Sequence, residues 1–100
     1  MPMDDKQFYV YLLASRLGGT LYVGVTSRLP DRVWEHRNNV VPGFTKRYKV
    51  HDLVWFEVHG TAESAITREK QIKAWKRAWK VAAIEQSNPN WVDLYPTLGI

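Results

Sequence analysis

FYVYLLASRLGGTLYVGVT, residues 8–26, is the stretch whose reading decides the fold. Its two outer runs, FYVYLLA (8–14) and TLYVGVT (20–26), are rich in β-branched and aromatic residues, and the intervening SRLGG carries two glycines. Two such runs joined by a short glycine-bearing connection predict a β-hairpin. Strand alternation then sorts the side chains. Phe8, Val10, Leu12 and Ala14 share one face with Leu21, Val23 and Val25, while Tyr9, Tyr11 and Leu13 share the other with Tyr22, Gly24 and Thr26. One face is aliphatic. The other collects three tyrosines and a glycine, and Gly24 leaves room there for backbone or ligand to come close.

Downstream of the hairpin, Pro30 and Asp31 suit the first turn of a helix over roughly 30–39, with Asn38 and Asn39 as stop residues. A loop over 40–49 holds Pro42-Gly43 and the basic pair Lys46-Arg47. HDLVWFEVHG (51–60) reads as a third strand, and Thr61 as the N-cap of a helix running to about Trp75. A second helical stretch follows to about Gln86, after a bend near Lys76, and SNPN ends it. The segment after it is expected to strap Trp91 and Leu94 against the body. The order ββαβαα predicts an α/β (α+β sandwich) fold, with a small, mainly antiparallel three-stranded sheet flanked by helices. It is expected as one domain over 6–94, with tails at 1–5 and 95–100.

A chain of 100 residues has room for one hydrophobic core. It contains no cysteine, which excludes disulfides and thiolate–zinc centres. No apolar run reaches the ~18 residues of a membrane span, and MPMDDKQ at the N-terminus lacks a signal-type apolar region, so a cytoplasmic location is expected. The net charge is +4, and most of the excess lies in Arg28–Lys49 and Arg68–Lys80. Such clustering favours a polyanionic partner.

Three residues look misplaced for a core. Leu29, Val33 and Val40 define the apolar stripe of the first helix, and Arg32 and His36, one turn apart, lie along it. In the helix over 61–75 the stripe is Ala62, Ala65, Ile66 and Ile72, with Glu69 inside it. A guanidinium and a carboxylate aimed at partly buried ground are costly unless satisfied. Either they form an Arg32–Glu69 salt bridge, with His36 bonding locally, or they serve a site.

Taken in order, these residues resemble a known family. Tyr9-Val10-Tyr11 followed by Tyr22-Val23-Gly24 resembles the paired signature of the GIY-YIG nucleases. LPDRVWEHRNN (29–39) resembles their next motif, an Arg followed four residues later by a His, and ESAITREKQIKAWKRAWKVAAIE (63–85) resembles their glutamate-bearing helix. The resemblance, closest to the small standalone bacterial members, spans about residues 6–94. Two departures are visible: Tyr9 stands where the name has its first Gly, and Val replaces Ile in both tripeptides. Neither removes a functional side chain.

The resemblance implies a metal-dependent endonuclease hydrolysing phosphodiester bonds in DNA, with weak sequence preference, in repair or recombination. By matching position, Glu69 holds the cation, Mg²⁺ with Mn²⁺ as a substitute, because such hard ions keep most of their waters. Arg32 steadies charge on the phosphoryl oxygens, Tyr11 and Tyr22 position water and phosphate with one of them a candidate general base, and His36 bonds a tyrosine or accepts a proton. The family's late Asn falls on Asn88, with Asn90 competing. Lys46, Arg47, Tyr48, Lys73, Lys76, Arg77, Lys80 and Asn88 are candidates for nucleic-acid contacts. Two other readings compete: a nucleic-acid-binding module in which Glu69 is only structural, and a protein-interaction domain using Trp34, Trp75 and Trp79. Against the latter, Ile72, Trp75, Trp79 and Ala82 have the spacing of one core stripe.

Overall fold

The computed structural model describes residues 6–99. Its sheet has three antiparallel strands: β1 (Phe8–Ala14), β2 (Leu21–Thr26) and β3 (Asp52–His59). The hairpin forms as its composition predicts, and β3 adds on the far side of β1, so the order is β2-β1-β3 with β1 central. A register shift between Leu12 and Leu13 interrupts the β1–β3 pairing. Residues 1–5, expected as a tail, lie outside the described residues.

Both faces of β1 are buried, and alternation divides the core in two. Val10, Leu12, Ala14 and Val23 pack with Val54, Ala65, Ile72, Ile84 and Trp91 on one side of the sheet. Tyr11 and Leu13 pack with Leu29, Val33, Val50 and Leu53 on the other. Helices α3 (Ala62–Ala74) and α4 (Arg77–Ser87) supply the first cluster, and α1 (Leu29–Arg37) the second. The tyrosine face is therefore covered by a helix, and its residue Tyr11 is 1% exposed.

Local chemistry explains the helix ends. Pro30 sits in the first turn of α1, where its missing N–H costs nothing, and Asn38 ends the helix. Thr61 caps α3 by accepting from the Ser64 N–H at 3.1 Å. The bend expected near Lys76 is a full break, because Trp75 and Lys76 both have extended backbone with ψ of 149° and 152°. This break corrects the single core stripe expected from Ile72 to Ala82. Trp75 is half-buried, but Trp79 lies in the first turn of a separate helix and is 58% exposed.

Other sequence expectations also need correction. Val40 lies beyond the end of α1 and is exposed, so only Leu29, Val33 and His36 form its buried stripe. Ala62 and Ile66 are exposed, leaving Ala65, Glu69 and Ile72 as the buried line of α3. The expected loop over 40–49 contains a short helix, α2 (Phe44–Tyr48). The C-terminal strap packs Trp91 and Leu94 as expected, and it continues into a 3-10 turn over Tyr95–Leu98, whose Tyr95 and Leu98 also pack on the α1 side. Asp93 fastens this strap by accepting from the Leu53 and Tyr95 N–H groups and pairing with Arg37.

Candidate active site

The site grows from the pairing of Tyr11 with Gly24. These residues are direct partners across β1 and β2. A β-carbon on Gly24 would lie 2.4 Å from both Cζ and the hydroxyl of Tyr11, so the tyrosine ring crosses the strand only because residue 24 has no side chain. The ring's far end meets α1. The Tyr11 hydroxyl is 3.2 Å from His36 Nε2, and His36 Nδ1 is 2.8 Å from Thr45 Oγ1 on α2. Thr45 was not singled out in the sequence. A threonine between Phe44 and Lys46 in a short polar loop carries no signal of burial, yet Thr45 is 2% exposed and joins α2 to the cluster.

Protonation follows from this enclosure. Burial first, and then the Arg32 charge, lower the His36 pKa to about 4, so the imidazole is neutral at physiological pH. Burial, aided by the neighbouring Tyr22, pushes the Tyr11 hydroxyl well above the usual tyrosine range, with the adjacent Arg32 pulling the other way. Tyr11 is therefore a phenol. A phenol, a neutral imidazole and a threonine hydroxyl are mutually satisfied when Tyr11 donates to Nε2 and Nδ1–H donates to Thr45. Tyr22 flanks them with its ring 5.3 Å from His36 and 6.3 Å from Tyr11. It is half-buried, so of these two tyrosines Tyr22 has the greater access to solvent.

Arg32 lies one turn before His36 and beside Tyr11. Its Nη1 donates to Glu35 Oε1 at 3.1 Å, and the two residues line an open cleft with Thr26, Arg28 and Asp31. Glu69 approaches from the other side of the sheet. It is 9% exposed, and its Oε2 accepts from Lys73 Nζ at 2.8 Å. Lys73 lines a second cleft, along the outer edge of β2, with Tyr22, Phe44 and Lys80. β2 is an edge strand, so side chains from both faces of the sheet meet at its rim. The Arg32–Glu69 salt bridge considered from the sequence does not form: each residue pairs with a neighbour on its own helix, at spacings of three and four.

Tyr11, Tyr22, Arg32 and His36 thus come together, and Glu69 reaches the same edge through Lys73. Lys46, Arg47 and Tyr48 lie on α2 beside them. Three other candidates sit elsewhere. Arg77 donates to the carbonyls of Gly18 and Gly19 and so holds the hairpin turn. Asn88 is 6% exposed: its Nδ2 donates to the Val54 and Val92 carbonyls and its Oδ1 accepts from the Val92 N–H, so both amide hydrogens are occupied inside the protein. Lys76 is exposed at the α3–α4 break. Among the described residues no three His, Cys, Asp or Glu side chains gather as a metal cage. Glu69 could serve as a cation ligand, with water and phosphate oxygens for the rest, a ligand set that Mg²⁺ accepts, and Glu35, paired with Arg32, is a second carboxylate beside the cluster.

Comparison with known proteins bears on the fold and the family. The chain is 33% identical over 82 residues to a UPF0213 protein of Staphylococcus epidermidis, covering 82% of this chain and 98% of the relative. It is 32% identical over 84 residues to a UPF0213 protein of Haloquadratum walsbyi, covering 84% and 92%. The solution NMR structure of the UPF0213 protein BH0048 from Bacillus halodurans superposes with a TM-score of 0.55 at 22% identity, over 93% of this chain and 97% of that one, and shows the same fold. Residues 7–82 match the model of the GIY-YIG catalytic domain, a span that takes in the tyrosine pair, Arg32, His36 and Glu69. The chain belongs to the GIY-YIG family.

Proposed function

We propose that the protein is a metal-dependent endonuclease that hydrolyses phosphodiester bonds in DNA, with weak sequence preference, as befits a shallow and open site. The observation that carries this reading is the buried Tyr11–His36–Thr45 chain set directly behind Arg32 and Tyr22. Apolar side chains would fill that space at less desolvation cost, so a polar chain there has a reason beyond packing.

In the reaction, water attacks phosphorus as the bond to one ester oxygen breaks, and a proton passes from that water through solvent to the departing oxygen. Arg32 presents a planar fork of donors to the non-bridging oxygens, where negative charge grows. Tyr22, the more accessible of the pair, orients the water. Tyr11 backs it as a positioning residue, its hydroxyl direction set by His36, and His36 is held in turn by Thr45. Neither Tyr11, held as a phenol, nor His36, whose pKa is near 4, is a strong base in the free protein. Glu69 would hold a divalent cation, Mg²⁺ or Mn²⁺, and that ion would make water easier to deprotonate and offset phosphoryl charge. Lys73, which holds Glu69 in the free protein, would then be available to a phosphate in the same cleft.

A cleavage assay on labelled single-stranded, duplex and branched DNA, with Mg²⁺, Mn²⁺ or EDTA and with Glu69→Gln alongside, tests the reading. Cutting that needs metal and disappears in Glu69→Gln is expected. One observation favours a second reading, a binding module without catalysis: Lys73 already satisfies the Glu69 carboxylate at 2.8 Å. Tight binding with no cutting in any metal would establish that reading instead.

A further inference from the structure

Two open clefts meet on the ring of Phe44. One continues past Tyr48 between Lys46 and Arg47, and the other runs past Tyr22 between Lys73 and Lys80. Phe44 and Tyr48 are 45% and 47% exposed. Their rings lie 4.8 Å apart, and Phe44 stacks on Tyr22 at 6.2 Å with 28° between planes. A continuous row of three aromatic rings therefore starts at the candidate active site and ends on the open side of α2.

The surroundings of the row are basic. Among the described residues Lys46, Arg47 and Lys80 have no carboxylate within ion-pair distance. The Arg47 guanidinium lies 5.5 Å from the centre of the Tyr48 ring. Flat apolar faces between unpaired cations complement a chain that alternates flat bases with phosphates. An apolar protein partner would match the rings but leave the cations unanswered.

We propose that Phe44 and Tyr48 form a stacking platform for unpaired bases of single-stranded DNA, with Lys46, Arg47 and Lys80 gripping the phosphates on either side. A paired base is already stacked on its duplex neighbours and has no free face to offer, so the platform selects unpaired nucleotides. Thr45 gives the platform a fixed position. It lies between Phe44 and Lys46, is buried, and bonds His36 at 2.8 Å, so α2 cannot move without disturbing the cluster behind Tyr22. A base on Phe44 thereby places the neighbouring phosphate along the Tyr22 edge. This substrate choice rests on the endonuclease reading for where cutting occurs; the platform itself is measured by binding.

The test uses the full wild-type chain and the variants Phe44→Ala, Tyr48→Ala and Phe44→Tyr, all in EDTA so that metal-dependent cutting is off. Fluorescence anisotropy reads Kd for a labelled single strand, the corresponding duplex, and an abasic strand with the same phosphates. Each alanine variant is expected to weaken single-strand binding about tenfold while shifting duplex and abasic binding by no more than about twofold, and Phe44→Tyr to bind as wild type. Equal losses on the abasic strand, or no loss on the single strand, would overturn the platform. Both rings are half exposed, so neither truncation empties the core; if one variant unfolds, the other carries the same test. If wild type binds no oligonucleotide, both the platform and the endonuclease reading fall. The expected pattern, without cutting once Mg²⁺ or Mn²⁺ is added, keeps the platform and overturns the endonuclease alone.

Discussion

Tyr11 lies across the backbone of Gly24, so close that a β-carbon at residue 24 would sit 2.4 Å from its hydroxyl. The Gly24 requirement is therefore imposed by its neighbour's ring, which is aimed at His36. Gly24→Ala is expected to displace that ring and break the 3.2 Å bond to His36. Overpacking of this kind costs about 1–3 kcal/mol. Thermal or urea unfolding should register the loss, and cleavage should fall more steeply than stability. A variant that cuts at the wild-type rate would show that Tyr11 has no part in positioning.

Arg32→Ala and Glu69→Gln separate chemistry from folding. Arg32 pairs with Glu35 on a half-exposed surface, and such a pair contributes no more than about 1 kcal/mol. Removing a positioned donor from developing oxyanion charge costs about 10²–10³ in rate. Cleavage is expected to drop by at least that factor in Arg32→Ala and to disappear in Glu69→Gln, with circular dichroism spectra and melting transitions close to wild type. If either variant unfolds, the residue is structural.

Acid should destabilise the fold through His36. Its folded pKa, about 4, lies below the unfolded value of about 6.5, so the unfolded chain binds a proton that the folded chain refuses. The contribution is fully present above pH 6.5 and is lost as pH falls towards 4, by about 2–3 kcal/mol. Denaturant midpoints measured between pH 7.5 and 4.5 check this, and His36→Gln should flatten the profile in that window. An unchanged slope in His36→Gln would assign the acid sensitivity to other groups.

Asn88 is expected to behave unlike the surface cations. Its side chain makes three hydrogen bonds that tie the end of α4 to β3 and the C-terminal strap. Asn88→Ala leaves buried backbone groups without partners, at about 1–3 kcal/mol for such a group. A lower melting temperature with unchanged DNA affinity, measured well below the transition, is the predicted result. A weakened affinity of the folded variant would mean that residue 88 meets a phosphate after all.

Much of this molecule is legible in the chain because its signals are local. The period-two alternation of residues 8–26 sorts Tyr11 from Val10 and Leu12, the start of α1 follows from Pro30, and the cap of α3 follows from Thr61. The spacing of Arg32 and His36, and the carboxylate of Glu69 in an apolar line, mark them as out of place before any fold is known. Burial of His36 and Glu69 agrees with that reading.

What only the tertiary structure decided depends on meetings between segments far apart in sequence. Which partner satisfies Arg32 and Glu69 was open on the sequence, because a guanidinium and a carboxylate suit one another equally well across the fold or along one helix. The geometry of α1 and α3 selects Glu35 and Lys73. Thr45 is silent in its own loop and becomes a buried partner of His36 only when α2 folds against α1. Trp79 has core spacing in the sequence, but two extended residues at the α3–α4 break turn it to solvent. Periodicity reports which way a side chain faces within one element. Which atoms it meets is set by packing between elements, and for this chain that decided the site.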